Sequence, residues 1–244
     1  DGRLLIQNNQ SPPNVPTIAS AVRANPSAGF SIVSYTGNAT SGTSIGHRLN
    51  AAPEFIIIKN RSDTENRFVW HNSFPLPTVN GFYLDLTANV QNFGGTSFNS
   101  TLPSSSVITL GNANIVNGSG DNMIAYCFAP VEGYSAFGSY TGNGSSDGPF
   151  VFTGFKVAFL LTKRTDTSEN WEIRDSTRNP YNRTNLTLFP HSSGAEDTGS
   201  VDFDFLSNGF KVRNTNGSTN ANGGTYIYAA FSEKAFSLNG GLAR

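Results

Sequence analysis

Three histidines, seventeen carboxylates and a single cysteine are the side chains of this 244-residue sequence that could do acid–base, nucleophilic or metal chemistry. His47, His71 and His191 stand far apart, and none lies at a metal-ligand spacing from another histidine, a cysteine or a carboxylate. They read as polar residues of loops or strand edges. Asp63 and Glu65 sit between Arg61 and Arg67 in an expected loop, and Asp202 and Asp204 share one face of an expected strand. A glycosidase would need two carboxyl groups flanking a sugar cleft. These four read instead as solvated charges. The Asn-, Asp- and Gly-rich stretches 117–121 and 214–224 offer oxygens that suit Ca²⁺ but lack the closing glutamate of an EF-hand, so turns between strands explain them more simply. The sequence predicts no catalytic residue, no cofactor and no metal.

Trp70 and Trp171 are the candidates for binding. An exposed indole beside amides and hydroxyls stacks on a sugar face, so each is a candidate glycan contact, set against the deep burial that tryptophan usually adopts. Asn-x-Ser/Thr tripeptides begin at Asn38, Asn60, Asn99, Asn117, Asn143, Asn182, Asn185 and Asn216. They follow from a composition rich in Asn, Ser and Thr.

Charged residues make up 14% of the chain and the net charge is -1. That excludes the basic field of a nucleic-acid binder and a polybasic lipid anchor. Solubility must come from neutral polar residues, which suits an extracellular particle. Cys127 lies in an apolar run and reads as a buried thiol; one cysteine permits no intrachain disulfide. No apolar run approaches the length of a membrane span, and no signal peptide is recognised. A start at Asp1 suggests processing or a fragment of a longer chain.

The elements that position these residues are expected to be strands, and to come twice. Ser-Tyr-Thr-Gly-Asn occupies 34–38 and again 139–143, an offset of 105. Further matches follow in the same order: 55–59 with 159–163, Trp70 with Trp171, 106–110 with 209–213, and 123–128 with 226–231. Short apolar or alternating segments at 30–35, 54–60, 67–71, 82–86, 107–110 and 123–128 predict the strands of the first copy. Those of the second copy fall at 137–140, 150–163 with a break at Gly154, 171–174, 186–189, 203–205, 210–213 and 225–231. Phe82, Leu84 and Leu86 are expected on one half-buried face. No window sustains a helical period beyond a turn or two. The expected fold is all-β: two tandem, internally duplicated β-sandwich domains at 29–133 and 134–237. An N-terminal arm or linker covers 1–28, with Leu4, Leu5 and Ile6 able to form an edge strand on a neighbour, and a tail covers 238–244.

The stretches 25–38, 58–62, 125–128, 131–135, 137–144 and 224–231 together resemble a tandem β-domain family of large, tail-fibre-like virion proteins of marine and freshwater tailed bacteriophages. The resemblance extends over nearly all of 25–237. It implies a non-enzymatic structural protein on the virion surface, in a tail fibre or surface appendage that contacts the host envelope. Its expected partners are other virion proteins, host-surface glycan and further copies of itself as a homo-oligomer such as a trimer, with no nucleic acid and no membrane insertion. A capsid decoration or head-fibre protein is the alternative, and a host-polysaccharide-degrading enzyme the third.

Overall fold

The structure is a computed structural model that describes residues 5–6, 15–199 and 201–233. It is all-β, with two four-residue helices and one short 3-10 turn among the described residues. The chain divides into two compact units, one of residues 1–84 and 90–129 and the other of 85–89 and 130–244.

The first unit runs β1 (Leu5–Ile6), β2 (Ser20–Asn25), a 3-10 turn at Pro26–Ala28, β3 (Phe30–Thr36), β4 (Thr43–Gly46), β5 (Phe55–Asn60), β6 (Phe68–His71), β7 (Asn80–Tyr83), β8 (Gln91–Asn92), β9 (Val107–Leu110), α1 (Asn114–Asn117) and β10 (Asn122–Phe128). Its main sheet has the order β1-β2-β3-β10-β5-β6-β7-β8, and β4 pairs with β9 in a second sheet. Period-two alternation sets the inner face: Val33 and Tyr35 of β3, Met123, Ala125 and Cys127 of β10, and Ile56 and Ile58 of β5 are buried. Burial of the Cys127 thiol pushes its pKa well up, as expected of an inert core cysteine.

The second unit runs β11 (Ser135–Thr141), β12 (Phe150–Phe152), β13 (Phe159–Arg164), β14 (Trp171–Asp175), β15 (Phe203–Leu206), β16 (Gly209–Val212), α2 (Gly217–Asn220) and β17 (Thr225–Phe231). One sheet has the order β11-β17-β13-β14 and the other β12-β16-β15. Tyr140, Leu160, Tyr226 and Tyr228 of the first sheet and Val151, Phe203, Phe210 and Val212 of the second meet in one hydrophobic core, which makes this unit two-layered. The order β11-β17-β13-β14 has the same connectivity as β3-β10-β5-β6 in the first unit.

Several expectations need correction. Part of the expected arm is regular structure: β2 pairs along its length with β3, in register from Ser20 opposite Tyr35 to Asn25 opposite Phe30. The prolines that argued for an arm all precede or follow this strand. β1 pairs with β2 of the same chain rather than with a neighbour. The strand expected at 82–86 is β7 and stops at Tyr83; Leu86 is exposed. The stretch 150–163 supplies two strands to two different sheets, because Gly154 adopts a positive φ of 83° that ends β12. Residues 186–189 make only isolated bridges, Thr187 with Asp197 and Leu188 with Ile173. β4 was unforeseen, since Thr-Ser-Ile-Gly holds a single large apolar residue. The tail expected at 238–244 lies outside the described residues.

Candidate functional site

Each unit places its Thr-Gly-Asn turn against a short helix through one buried asparagine. In the first, the Asn117 side-chain oxygen accepts the Asn38 N–H at 2.9 Å, and its Nδ2 donates to Gly111 O at 2.8 Å with Thr40 O 3.3 Å away. In the second, the Asn220 oxygen accepts the Asn143 N–H at 2.9 Å, and Nδ2 reaches Asn214 O at 2.6 Å and Ser145 O at 2.7 Å. Both asparagines are 0% exposed. The tyrosines of the two Ser-Tyr-Thr-Gly-Asn copies cap the same helices, Tyr35 Oη donating to Val116 O at 2.5 Å and Tyr140 Oη to Thr219 O at 2.9 Å. The glycine in each turn has no alternative: a Cβ would stand 2.2 Å from Gly118 O at Gly37 and 2.3 Å from Ala221 O at Gly142.

A lysine organises the hairpin after β5 and after β13. Lys59 Nζ donates to Glu65 O, and Lys163 Nζ to Glu169 O at 2.8 Å and Thr87 O at 3.1 Å. Burial pulls the Lys163 pKa down to about 8, against the opposing pull of nearby Glu169. The next residues repeat the pattern: Asn60 Nδ2 donates to Asn114 O at 3.1 Å and Arg164 Nη1 to Gly217 O at 3.0 Å, each the carbonyl of a helix's first residue.

The inner faces then diverge. In β6, Phe68 and Trp70 point inward, with the Phe98 ring 5.4 and 5.9 Å away. In β14, Glu172 and Arg174 point inward and pair at 2.6 Å, 3% and 0% exposed. Glu172 also accepts Ser218 Oγ at 2.5 Å, and the Arg174 guanidinium lies 4.4 Å from the Phe203 ring centroid. Arg174 Nε and Nη1 and Thr162 Oγ1 have no hydrogen-bond partner among the described residues. Sequence reasoning missed this cluster because Trp-Glu-Ile-Arg reads as a half-buried strand with its charges in water.

The sequence candidates fall as follows. Trp70 and Trp171 are 2% and 1% exposed, and Trp70 Nε1 donates to Pro77 O at 2.7 Å. Neither offers a ring face to a sugar, so the glycan-contact reading is withdrawn. Nor are they equivalent. Trp70 stands opposite Ile56 and Trp171 opposite Lys163. With Lys59 and Lys163 as matching positions, the residue in the place of Trp70 is Arg174, opposite Leu160. His47 is buried and satisfied at both nitrogens, by Ser104 O at 3.1 Å and the Leu49 N–H at 3.3 Å; burial lowers its pKa. His71 is buried and accepts the Ser73 N–H at 3.0 Å. His191 Nδ1 is buried without a partner among the described residues, and burial lowers its pKa as well. Asp202 pairs with Arg183 at 2.7 Å and Asp204 with Arg213 at 3.2 Å. Asp63 Oδ1 accepts the Thr64 N–H at 2.6 Å, while Glu65 contributes its backbone oxygen to Lys59. Among the described residues no group of three His, Cys, Asp or Glu could hold a metal. Of the tripeptide asparagines, Asn60 and Asn117 are fully buried.

The surface that stands out is the outer face of β12-β16-β15. Phe150 and Phe152 are 45% and 66% exposed on it, while Val151 between them is core. Asp147 joins Lys211 at 2.8 Å and Arg213 at 3.4 Å beside them, and its bond to Lys211 holds the carboxyl below the usual range. This arrangement can bind through apolar and charged contacts. It brings no nucleophile and base together.

Residues 8–235 match the family described as a domain of unknown function, DUF7483, and the chain belongs to that family. No curated protein and no solved structure matches it significantly.

Proposed function

We propose that the chain is two tandem copies of one β-sandwich domain, and that it serves as a non-enzymatic structural component of a bacteriophage virion, in a tail fibre or surface appendage that contacts the host envelope. The observation that carries this reading is the repeated asparagine clamp. In both units one buried asparagine side chain is spent on fixing loop ends, which is how a rigid scaffold presents a surface. The matching connectivity of the two main sheets and the repeated lysine hairpins support descent from one duplicated module. The neutral, Asn/Ser/Thr-rich surface and the sequence resemblance support the virion setting. Contacts with host glycan would be individually weak and multiplied by homo-oligomerisation, with loops and sheet faces rather than the two tryptophans as the contacting surface.

Gold-labelled antibody raised against this chain, applied to particles of a phage whose genome encodes it and viewed by electron microscopy, tests the proposal. Label along a tail or appendage is the expected result. Label spread over the head would instead make it a capsid decoration protein, and particles without label would overturn the virion reading.

A further inference from the structure

Among the described residues, one edge of the second unit is uncovered where the matching edge of the first is covered. Ile45 of β4 is opposite Ile108 and Val151 of β12 is opposite Phe210, all buried, so β4 and β12 occupy matching places. In the first unit, Ser44 O on the far side of β4 accepts the N–H groups of Thr17 and Ile18 at 3.0 and 2.9 Å, and Ser44 N–H donates to Thr17 Oγ1 at 2.8 Å. Pro16 packs over Gly46, 3.3 Å from where a Cβ would be. Residues 15–18 thus close that edge.

In the second unit nothing among the described residues does this. Val212 N–H donates to Pro149 O and Thr153 N–H to Asn208 O, both at 3.0 Å, so the odd-numbered residues of β12 turn their backbone toward β16. Phe150 and Phe152 therefore turn theirs to the open side, and no hydrogen bond to these groups is found among the described residues. The same two residues carry the exposed rings. No Lys, Pro or inward charge lies within Phe-Val-Phe to discourage strand pairing.

We propose that this edge binds the β12 edge of a second copy of the chain. Phe-Val-Phe is its own complement. A two-fold axis through Val151, perpendicular to the sheet, sets Phe150 opposite the partner copy's Phe152 and the reverse. Both members of each pair have N–H and C=O groups with no partner among the described residues, so the register forms four backbone hydrogen bonds and joins two three-stranded sheets into one. It also brings four phenylalanine rings onto one outer face as cross-strand aromatic pairs. A contact of this kind is isologous and closes at two copies. The inference rests on the edge geometry alone and does not depend on the virion reading.

Sedimentation equilibrium of the purified chain up to roughly 100 µM tests it, with two double variants that lose the same aromatic area. Phe150→Lys with Phe152→Lys puts like charges opposite each other across the axis and should leave monomer. Phe150→Lys with Phe152→Glu puts Lys opposite Glu twice in this register, and should self-associate at least about tenfold more tightly than the first variant. A wild-type chain that stays monomeric, or two variants that associate equally, overturns the proposal. The first outcome would leave the edge to a different partner, and the second would place self-association elsewhere on the chain.

Discussion

Asn220 and Asn143 lock a turn to a helix end through a 2.9 Å bond between side-chain oxygen and backbone N–H, and Asn117 and Asn38 make the same bond at the same length. The asparagine amide is the group that fits, because it accepts from one backbone and donates to others from a single buried position. An aspartate could not donate, and an apolar residue could do neither.

Replacing Asn220 by Ala should therefore destabilise the second unit by about 2–4 kcal/mol, since it strands the Asn143 N–H and the carbonyls of Asn214 and Ser145. Asn220→Asp should cost at least as much. Urea unfolding followed by tryptophan fluorescence in a Trp70→Phe background, where Trp171 alone reports, measures this. A loss below about 0.5 kcal/mol would show that the clamp is ornamental.

The inner-face pair Glu172–Arg174 gives a sharper test, because the first unit holds Phe68 and Trp70 on the same face of the matching strand. Removing one partner of a buried pair leaves an uncompensated charge. Glu172→Gln or Arg174→Met should each cost about 3–5 kcal/mol. The double variant Glu172→Phe with Arg174→Trp copies the first unit's solution and should recover most of that loss. Calorimetric midpoints of the three variants decide the matter, and a double variant worse than either single one would refute the match between the two inner faces.

What was readable from the sequence was the part that repeats or alternates. The Ser-Tyr-Thr-Gly-Asn copies marked two turns that the structure clamps in the same way, and β5, β10 and β17 stood out as apolar runs. The clamping asparagines themselves were not readable, because Asn117 and Asn220 look like two more turn residues in a chain full of them; only a partner distant in sequence makes them structural. β2 was hidden by the prolines around it. The Trp70–Trp171 match misled because two large aromatics at similar spacing outweighed register, which only hydrogen bonding reveals. Residues 150–152 read as strand, but their exposure depends on whether a segment distant in sequence lies over that edge, and no local pattern encodes that.

His47 should make the first unit acid-sensitive. Its ring is buried and bonded in the neutral form, and burial lowers its pKa below the ordinary 6.5. The unfolded chain then binds a proton more readily than the folded one, so this contribution to stability is present above pH 6.5 and is lost as pH falls through the depressed folded value. His47→Gln should be less stable at pH 7 yet show a flatter profile between pH 7 and 5. Urea midpoints at successive pH values in a Trp171→Phe background check it; parallel profiles for the two chains would exclude His47 as the source.

Lys163 gives the second unit a dependence of the same sign at the other end of the scale. Burial brings its pKa from 10.5 to about 8 while Nζ holds the Glu169 and Thr87 carbonyls. Between those two values the unfolded lysine is protonated and the folded one is increasingly neutral. Stability from this group therefore rises with pH from about 8 to 10.5, by at most about 3 kcal/mol. Tyr140 and Tyr226, whose pKa values are raised chiefly by burial, work against it above pH 10, because their unfolded forms ionise first. The difference between wild type and Lys163→Met removes that background. The variant's profile should lack the rise between pH 8 and 10. Unfolding curves at half-unit steps in the Trp70→Phe background read this, and an equal rise in the two proteins would mean that Lys163 keeps its proton in the fold as readily as in water.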